Sequence, residues 1–326
     1  MANHLAYGYI QNWRKIMSKS TENKIIMVNS FKGGTGKTSV ALANCVHNCT
    51  QNGFYKNIYF IDIDRWGTSM SYALFPDEKP PKYFDEYEER YYDKVCNPIL
   101  EDKEKGTVLK AVLLNPVANR RQDYDIHGRF WQHSDISGSI FFQDLLSFLK
   151  KCISCEVNNL FVIDCSPGLT DMERSLLNEF YSMRQNGEVS EIEELYVTTF
   201  DASQICKTVE CLNDAKDFLK RGERNVSIVL NDLHNWEFIS KDYDDHKFDW
   251  KKDAKNILNN LKDKNFMKIR YKEFVPDQVN ASMIGYQKKL IDNIDAFVLP
   301  QEYREEYIPR SKKQMDCRED AEWKEI

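Results

Sequence analysis

No stretch of this 326-residue sequence approaches the ~20 consecutive apolar residues that a membrane-spanning helix needs. Its first residues, MANHLAYGYIQNWRKIM, lack the apolar core and small-residue cleavage site of a secretory signal. There is no basic excess either: 45 Lys and Arg stand against 51 Asp and Glu, a net charge of −6. That balance argues against a surface coated for nucleic acid, although a local basic patch stays open. No internal repeat or low-complexity tract is found. The nine cysteines show no disulfide-like framework, so reduced thiols in a cytoplasmic protein are expected. What the chain does have is 42% hydrophobic residues and 13% aromatic ones, enough for one large α/β domain or two small ones.

The most informative stretch is NSFKGGTGKTSVALANC, Asn29 to Cys45. Before it, Lys24 to Ser30 is a short apolar run suited to a buried parallel strand. After it, Ser39 to Cys49 contains no Gly or Pro and predicts a helix. Strand, glycine-rich turn and helix form the setting of a phosphate-binding loop. The glycines let successive N–H groups curl towards phosphate oxygens, and the helix N-terminus adds partial positive charge. Lys37 is expected to reach the β- and γ-phosphates and the Thr38 hydroxyl to ligate Mg²⁺. A second lysine, Lys32, precedes the first glycine, and one lysine suffices for an ordinary loop of this kind.

Further apolar runs end in acids. Ile58 to Asp64 finishes with Asp62 and Asp64, two apart and so on one face of a strand. Asn159 to Asp164 is followed by Cys165-Ser-Pro-Gly168. Acids at the carboxyl ends of parallel strands lie where α/β ligands bind, and beside a phosphate loop they imply a metal–phosphate site. Glu194 to Thr199 precedes a helical stretch, Ala202 to Lys220. Val226 to Asn231 and Phe266 to Val275 read as two more strands. Alternating strands and helices predict an α/β fold with a doubly wound, mostly parallel sheet.

Residues 76–138 are the least regular part, acidic and aromatic at first, then polar with glycines. Val108 to Leu114 within them has the pattern of another strand. The segment reads as an elaboration lying over one edge of the sheet, either a cover or partner surface or an insertion without special role. Phe141 to Lys151 has helical spacing, and Cys152 and Cys155 follow it. This CxxC pair offers two of the four ligands of a structural zinc, and helix-end thiols without a metal are the favoured account. The expected organisation is an N-terminal extension over 1–23, a nucleotide-binding domain over 24–300, and a charged tail over 301–326.

KGGTGKTS resembles the deviant phosphate loop of ParA/MinD-type ATPases, and the resemblance continues through YFIDIDRWG, LFVIDCSPG, IVLN and EFVPDQVNASMIGY, in that order. It implies a P-loop ATPase that hydrolyses ATP to ADP and phosphate, with ATP and Mg²⁺ as cofactors. Such proteins dimerise face to face around two nucleotides, so Lys32 would act on the partner's phosphates. A clamp supplied in trans makes hydrolysis conditional on association. The nucleotide would be bound by Gly33, Gly34, Thr35, Gly36, Lys37, Thr38 and Ser39. Asn231 would contact adenine, and Val275, Pro276 and Asp277 would line the base. By the same resemblance Asp64 positions the attacking water, Asp62 sits beside it, and Asp164 holds the Mg²⁺ shell with Thr38. No guanine-reading motif follows Asn231, which favours ATP. Where the family continues its second acidic motif with Pro-Gln, this chain has Arg65-Trp66, near the dimer and switch region.

Three functions follow from that resemblance. The first is a partition or positioning ATPase whose ATP-bound dimer binds non-specific DNA. Lys251, Lys255 and Lys262 adjoin the apolar face formed by Trp250, Ala254, Ile257, Leu258 and Leu261, with Lys264, Lys268, Arg270 and Lys272 beyond. Such a face either contacts phosphates or is merely solvated, since Asp253, Asp263 and Glu273 interrupt it. The alternative is an ATP-driven dimer switch that recruits or positions a protein partner without nucleic acid. A membrane-cycling ATPase would need a basic amphipathic C-terminal helix, and the acid-rich tail SKKQMDCREDAEWKEI disfavours it. A homodimer, an activating protein partner and no membrane are therefore expected.

Overall fold

Five runs of β-branched and aromatic residues form the buried strands of one parallel array. They are β1 (Asn23–Ser30), β2 (Asn57–Asp62), β5 (Asn159–Pro167), β6 (Glu191–Thr199) and β7 (Val226–Asn231). The computed structural model describes residues 21–64, 74–75, 82–84, 95–114, 140–155, 157–199, 201–214, 224–231, 270–271 and 306–307. Two further strands, β3 (Asn97–Asp102) and β4 (Thr107–Val112), complete a seven-stranded sheet of order β3-β4-β2-β5-β1-β6-β7. All neighbours pair parallel except β3 with β4. The expected doubly wound, mostly parallel α/β sheet is what the chain forms.

Among the described residues four helices flank it: α1 (Lys37–His47), α2 (Ile140–Ile153), α3 (Asp171–Gln185) and α4 (Ala202–Asp214). Alternation along each strand sorts the core into two layers. Ile26, Val28, Ile58, Phe60, Leu160 and Val162 pack with α1. Ile25, Met27, Tyr59, Ile61, Phe161 and Ile163 pack with the residues of α2 and α3 on the opposite face. Among the described residues no helix is long and apolar enough to cross a membrane.

An asparagine ladder crosses the sheet where the central strands begin. The Asn159 amide donates to Asn23 Oδ1 at 2.9 Å, and the Asn57 amide donates to Asn159 Oδ1 at 3.1 Å. These three residues are partners in register. Equal spacing along the strands then brings Val28, Asp164 and Asp62 side by side at the other end.

Several elements differ from the sequence reading. β2 ends at Asp62, so Asp64 lies in the turn beyond it, where its N–H donates to Asp62 Oδ1 at 2.9 Å. α1 passes into a π-helical turn at Asn48–Asn52 that stops at Gly53, φ 57°. The segment 76–138 does not simply lie over the sheet edge. Its residues 97–112 supply β3 and β4, because the Gly106 turn folds an antiparallel strand onto a run already paired with β2. Helix α3 has no counterpart in the sequence reading. Of the expected strand over 266–275, Arg270–Tyr271 is described, paired antiparallel with Glu306–Tyr307 of the expected tail. The C-terminal part of the helix expected over 202–220 lies outside the described residues.

A buried ion pair closes the β6–β7 side. Glu194 accepts hydrogen bonds from Arg224 Nε at 2.9 Å and Nη2 at 2.5 Å, and from the hydroxyls of Tyr181 and Tyr196, both at 2.8 Å. Burial opposes the Glu194 charge, yet the guanidinium and both hydroxyls outweigh it and lower the carboxyl pKa. Its stabilising contribution is therefore present above the ordinary carboxylate range and is lost as pH falls through the lowered pKa. Arg224→Ala would strand a buried carboxylate and is expected to cost about 3–5 kcal/mol of unfolding free energy. By contrast, Lys207→Ala, at an exposed pair with Glu210, should cost under about 1 kcal/mol. Urea unfolding of both variants checks this, and equal losses would show the buried pair to be dispensable.

Candidate functional site

The glycine-rich loop leaves β1 and enters α1 through two residues of positive φ, Gly34 at 78° and Gly36 at 79°. A side chain would be strained at either position. Gly36 directly precedes α1, no side chain caps the helix, and its first turn carries no acid. The first N–H groups of α1 are thus left for an anion.

Neighbouring strands grip the loop. The Gly168 N–H, beyond β5, donates to the Ser30 carbonyl at 2.6 Å, and the Ser30 hydroxyl donates to the Lys32 carbonyl at 3.0 Å. The Phe31 ring stacks on Tyr196 of β6, with centroids 5.3 Å apart. At the end of β7 the Asn231 amide donates to the Thr35 carbonyl at 2.8 Å. Asn231 Oδ1 and Thr35 Oγ1 are buried and have no hydrogen-bond partner among the described residues.

The charges converge on Lys37. Asp62 and Asp164 share the sheet face of Phe60 and Val162, the face on which α1 packs. From the first turn of α1 the Lys37 ammonium reaches Asp164 Oδ1 at 2.6 Å and Asp64 Oδ2 at 3.5 Å. Lys37 is only 5% exposed, so its charge depends on these partners. Burial opposes that charge, but the Asp164 and Asp64 carboxylates outweigh it and hold the pKa above the usual lysine range. Burial, reinforced by the Asp164 charge, pushes Asp62 well above the usual carboxylate range. Asp164 is also raised by burial, with Lys37 and the nearby Thr38 hydroxyl drawing it back. Asp164 Oδ2 is buried and accepts no hydrogen bond of normal geometry among the described residues.

The structure thus brings together Lys37, Thr38, Asp62, Asp64 and Asp164, with Gly33, Gly34, Thr35, Gly36 and Asn231 around them. Ser39 sits half-buried in the first turn of α1. Lys32 is exposed on the outer side of the loop, near Asp201, whose carboxyl it helps to hold below its usual pKa after the hydrogen bonds from Ser203 and Gln204. Val275, Pro276, Asp277, Arg65, Trp66 and the lysines of 251–268 lie outside the described residues.

Sequence reasoning missed Phe31, Ser166, Gly168 and Glu173 as parts of the site. For Glu173 a signal existed: Thr170 and Glu173 stand three apart ahead of an apolar run, the spacing of a helix capping box. Cys155, one turn beyond Lys151 at the end of α2, is exposed and donates through Sγ to the Lys151 carbonyl at 3.6 Å. Among the described residues no group of His, Cys, Asp and Glu is disposed to hold a metal by itself.

No protein-family model matches the chain, and no curated protein matches it in sequence. Solved structures do resemble it. A ParA family ATPase from Chlorobium tepidum TLS aligns over 84% of this chain and 92% of its own, at 10% identity and a TM-score of 0.51. A putative plasmid partition protein from Borrelia burgdorferi B31, bound to AMPPNP, covers 85% and 97% at 15% identity and a TM-score of 0.48. A single-residue variant of McdA from Cyanothece, in complex with ATP, covers 87% and 99% at 12% identity and a TM-score of 0.46. At such identities a likeness speaks to fold, and the first of the three is the one that carries it. This chain has the fold of the ParA/MinD-type P-loop ATPases.

Proposed function

We propose that this protein is an ATP-dependent dimerisation switch that binds Mg²⁺–ATP in the 32–39 loop and hydrolyses it slowly. The observation that carries this reading is the buried convergence of Lys37 on Asp164 and Asp64, at the uncapped start of α1. A phosphate chain entering the loop replaces those carboxylates as counter-charge to Lys37, while backbone N–H groups receive its oxygens. The residues fit a hard divalent cation. The buried Asp164 Oδ2 and the neighbouring Thr38 hydroxyl are oxygen donors. Mg²⁺ at a triphosphate needs few protein ligands because it keeps several waters. When bound, Mg²⁺ would neutralise charge on the β- and γ-oxygens. Asp64 would orient the attacking water, with Asp62 holding the turn through the Asp64 N–H.

Asn231 would favour adenine if it faces position 6 of the base, where adenine carries an amino group and guanine a carbonyl oxygen. Its amide nitrogen is engaged by Thr35, leaving a buried Oδ1 to accept from an exocyclic amino group. Val275, Pro276 and Asp277 would complete the base site. Lys32, exposed and separate from the Lys37 cluster, is free to reach the nucleotide of a second copy, where it would stabilise charge during phosphoryl transfer. The dimer would act as a partition or positioning ATPase, stimulated by an activating protein partner, with non-specific DNA as the surface bound in the ATP state.

Lys37→Ala should weaken ATP binding by about 100-fold or more, as loss of one member of a buried charge pair does. Asp64→Ala should keep ATP and accumulate as an ATP-bound dimer. Calorimetry and light scattering read the two outcomes. Undiminished ATP binding by Lys37→Ala would remove the basis of the reading.

The two lysines should fail differently. Lys32→Ala is expected to bind ATP as a monomer yet lose dimerisation and turnover. Mixed with Lys37→Ala, it should recover part of its hydrolysis, because its nucleotide then faces an intact Lys32. Wild-type dimerisation and turnover by Lys32→Ala alone would overturn the trans role.

With ATP, the protein should shift non-specific duplex DNA in a gel, with affinity falling steeply as salt rises. Exchanging Lys251, Lys255 and Lys262 for Glu should weaken the shift. Absence of any shift at low salt would transfer the reading to a switch that recruits a protein partner.

A further inference from the structure

Glu173 is fully buried at the start of α3, and its carboxylate is spread over the loop that follows Asp164. Oε1 accepts the Ser166 N–H at 3.2 Å, while Oε2 accepts the Thr170 N–H at 3.1 Å and the Thr170 hydroxyl. An ordinary capping box needs only the hydrogen bonds at Thr170. The additional bond to Ser166 extends the grip back to within two residues of Asp164.

From that loop two bonds lead into the site. The Ser166 hydroxyl donates to the Ile63 carbonyl at 3.3 Å, between Asp62 and Asp64. The Gly168 N–H donates to the Ser30 carbonyl at 2.6 Å, at the mouth of the phosphate loop. One carboxylate therefore sets a loop that holds both the Asp64 turn and the loop carrying Lys32 and Lys37.

We propose that Glu173 is a positioning residue for ATP hydrolysis, latching residues 166–170 so that Ser166 fixes the turn bearing Asp64. This rests on the ATPase reading of the site. Glu173 touches no reacting atom in it. Its effect is on where Asp64 stands relative to the phosphates, so it should act on turnover and leave ATP affinity nearly intact.

The protonation state of the latch matters because both oxygens are acceptors. A protonated carboxyl presents a hydroxyl in place of one acceptor oxygen, so its grip on the N–H groups and the Thr170 hydroxyl weakens. Burial pushes the Glu173 carboxyl up to about 7, with its own N–H, those of Ser166 and Thr170, and the Lys37 charge drawing it back. The groups facing it from other elements are Lys37 of α1, held cationic by its carboxylates, and the buried Cys165 thiol of β5, whose pKa is pushed well above the usual range. Neither changes charge near neutrality; Asp62 and Asp164, which burial also raises, belong to the site itself, and the Glu173→Gln variant separates their titration from that of Glu173.

The test measures ATP affinity by calorimetry and single-turnover hydrolysis from pH 5.5 to 8.5, on wild type, Glu173→Gln and Ser166→Ala. In the wild type, turnover should fall as pH drops through about 7. Glutamine keeps one acceptor and presents an NH₂ to the other donors. Glu173→Gln should therefore lower turnover about ten- to a hundredfold, while the ATP dissociation constant stays within about twofold. It should also lose the acid limb near pH 7. Ser166→Ala should lower turnover but keep that limb. A wild type that binds no ATP would sink the ATPase reading and this proposal together. A wild type that hydrolyses ATP without an acid limb would sink the latch alone, as would a Glu173→Gln variant that keeps wild-type turnover and limb. If glutamine costs ATP affinity and turnover equally, Glu173 is a structural cap and the proposal fails.

Discussion

A lysine ammonium buried among carboxylates is the interaction to which the rest of this structure is fitted. Taking such a charge out of water costs several kcal/mol unless partners of good geometry replace the hydration. Lys37, on α1, finds them on two other segments: the turn beyond β2 and β5. That is only achievable if β2 and β5 hold their register, since a slip of one residue would turn Asp62 and Asp164 to the opposite face. The asparagine ladder pins that register at the far end of the same strands. Polar bonds where the strands begin and buried charge where they end thus specify one pairing. Apolar runs as uniform as Leu160–Ile163 would specify it poorly by themselves.

The site is also a place where oxygen atoms are left over. Asp164 Oδ2, Asn231 Oδ1 and Thr35 Oγ1 are all buried without hydrogen-bond partners among the described residues. Unsatisfied buried polar atoms are costly, and these three lie where the proposed nucleotide would sit. Asp164 Oδ2 and Asn231 Oδ1 become intelligible if a ligand sits in the loop, carrying a cation next to Asp164 and an amino group next to Asn231. The cost in the ligand-free protein is then the source of selectivity in the bound one.

Much of this was legible in the sequence, for identifiable reasons. The loop carries its meaning locally: Gly34 and Gly36 are needed for backbone shape, and the strand and helix on either side follow from runs of apolar residues. The acids at the ends of β2 and β5 were legible because period-two alternation places them on a shared face. The antiparallel β3 was not, since Asn97–Asp102 is a polar strand whose partner among the described residues is β4 alone, and its pairing depends on the turn at Gly106. Helix α3 was hidden by composition: its first turn is charged, and its apolar residues Leu176, Leu177, Phe180 and Tyr181 follow only afterwards. Asn231 illustrates a further limit. Its position at a strand end is readable, but its hydrogen bond to the Thr35 carbonyl exists because the loop folds across β6 towards β7.

The two buried glutamates show why position and partner, more than burial, decide what a charge does here. Glu194 and Glu173 are both fully buried. Glu194 faces a guanidinium and two hydroxyls, so its pKa is lowered, and it favours folding throughout the neutral range. Glu173 accepts from N–H groups and a hydroxyl, with no ion pair to it among the described residues, and its pKa rises to about 7. Its linkage therefore has the opposite sign: the contribution it makes to stability is complete below the ordinary glutamate range and is lost as pH rises through about 7. The carboxylate at 173 grips, through its hydrogen bonds from Ser166 and Thr170, the loop between Asp164 and α3. Glu194 has its countercharge beside it, whereas the cation that draws the Glu173 pKa back is Lys37, at the centre of the site.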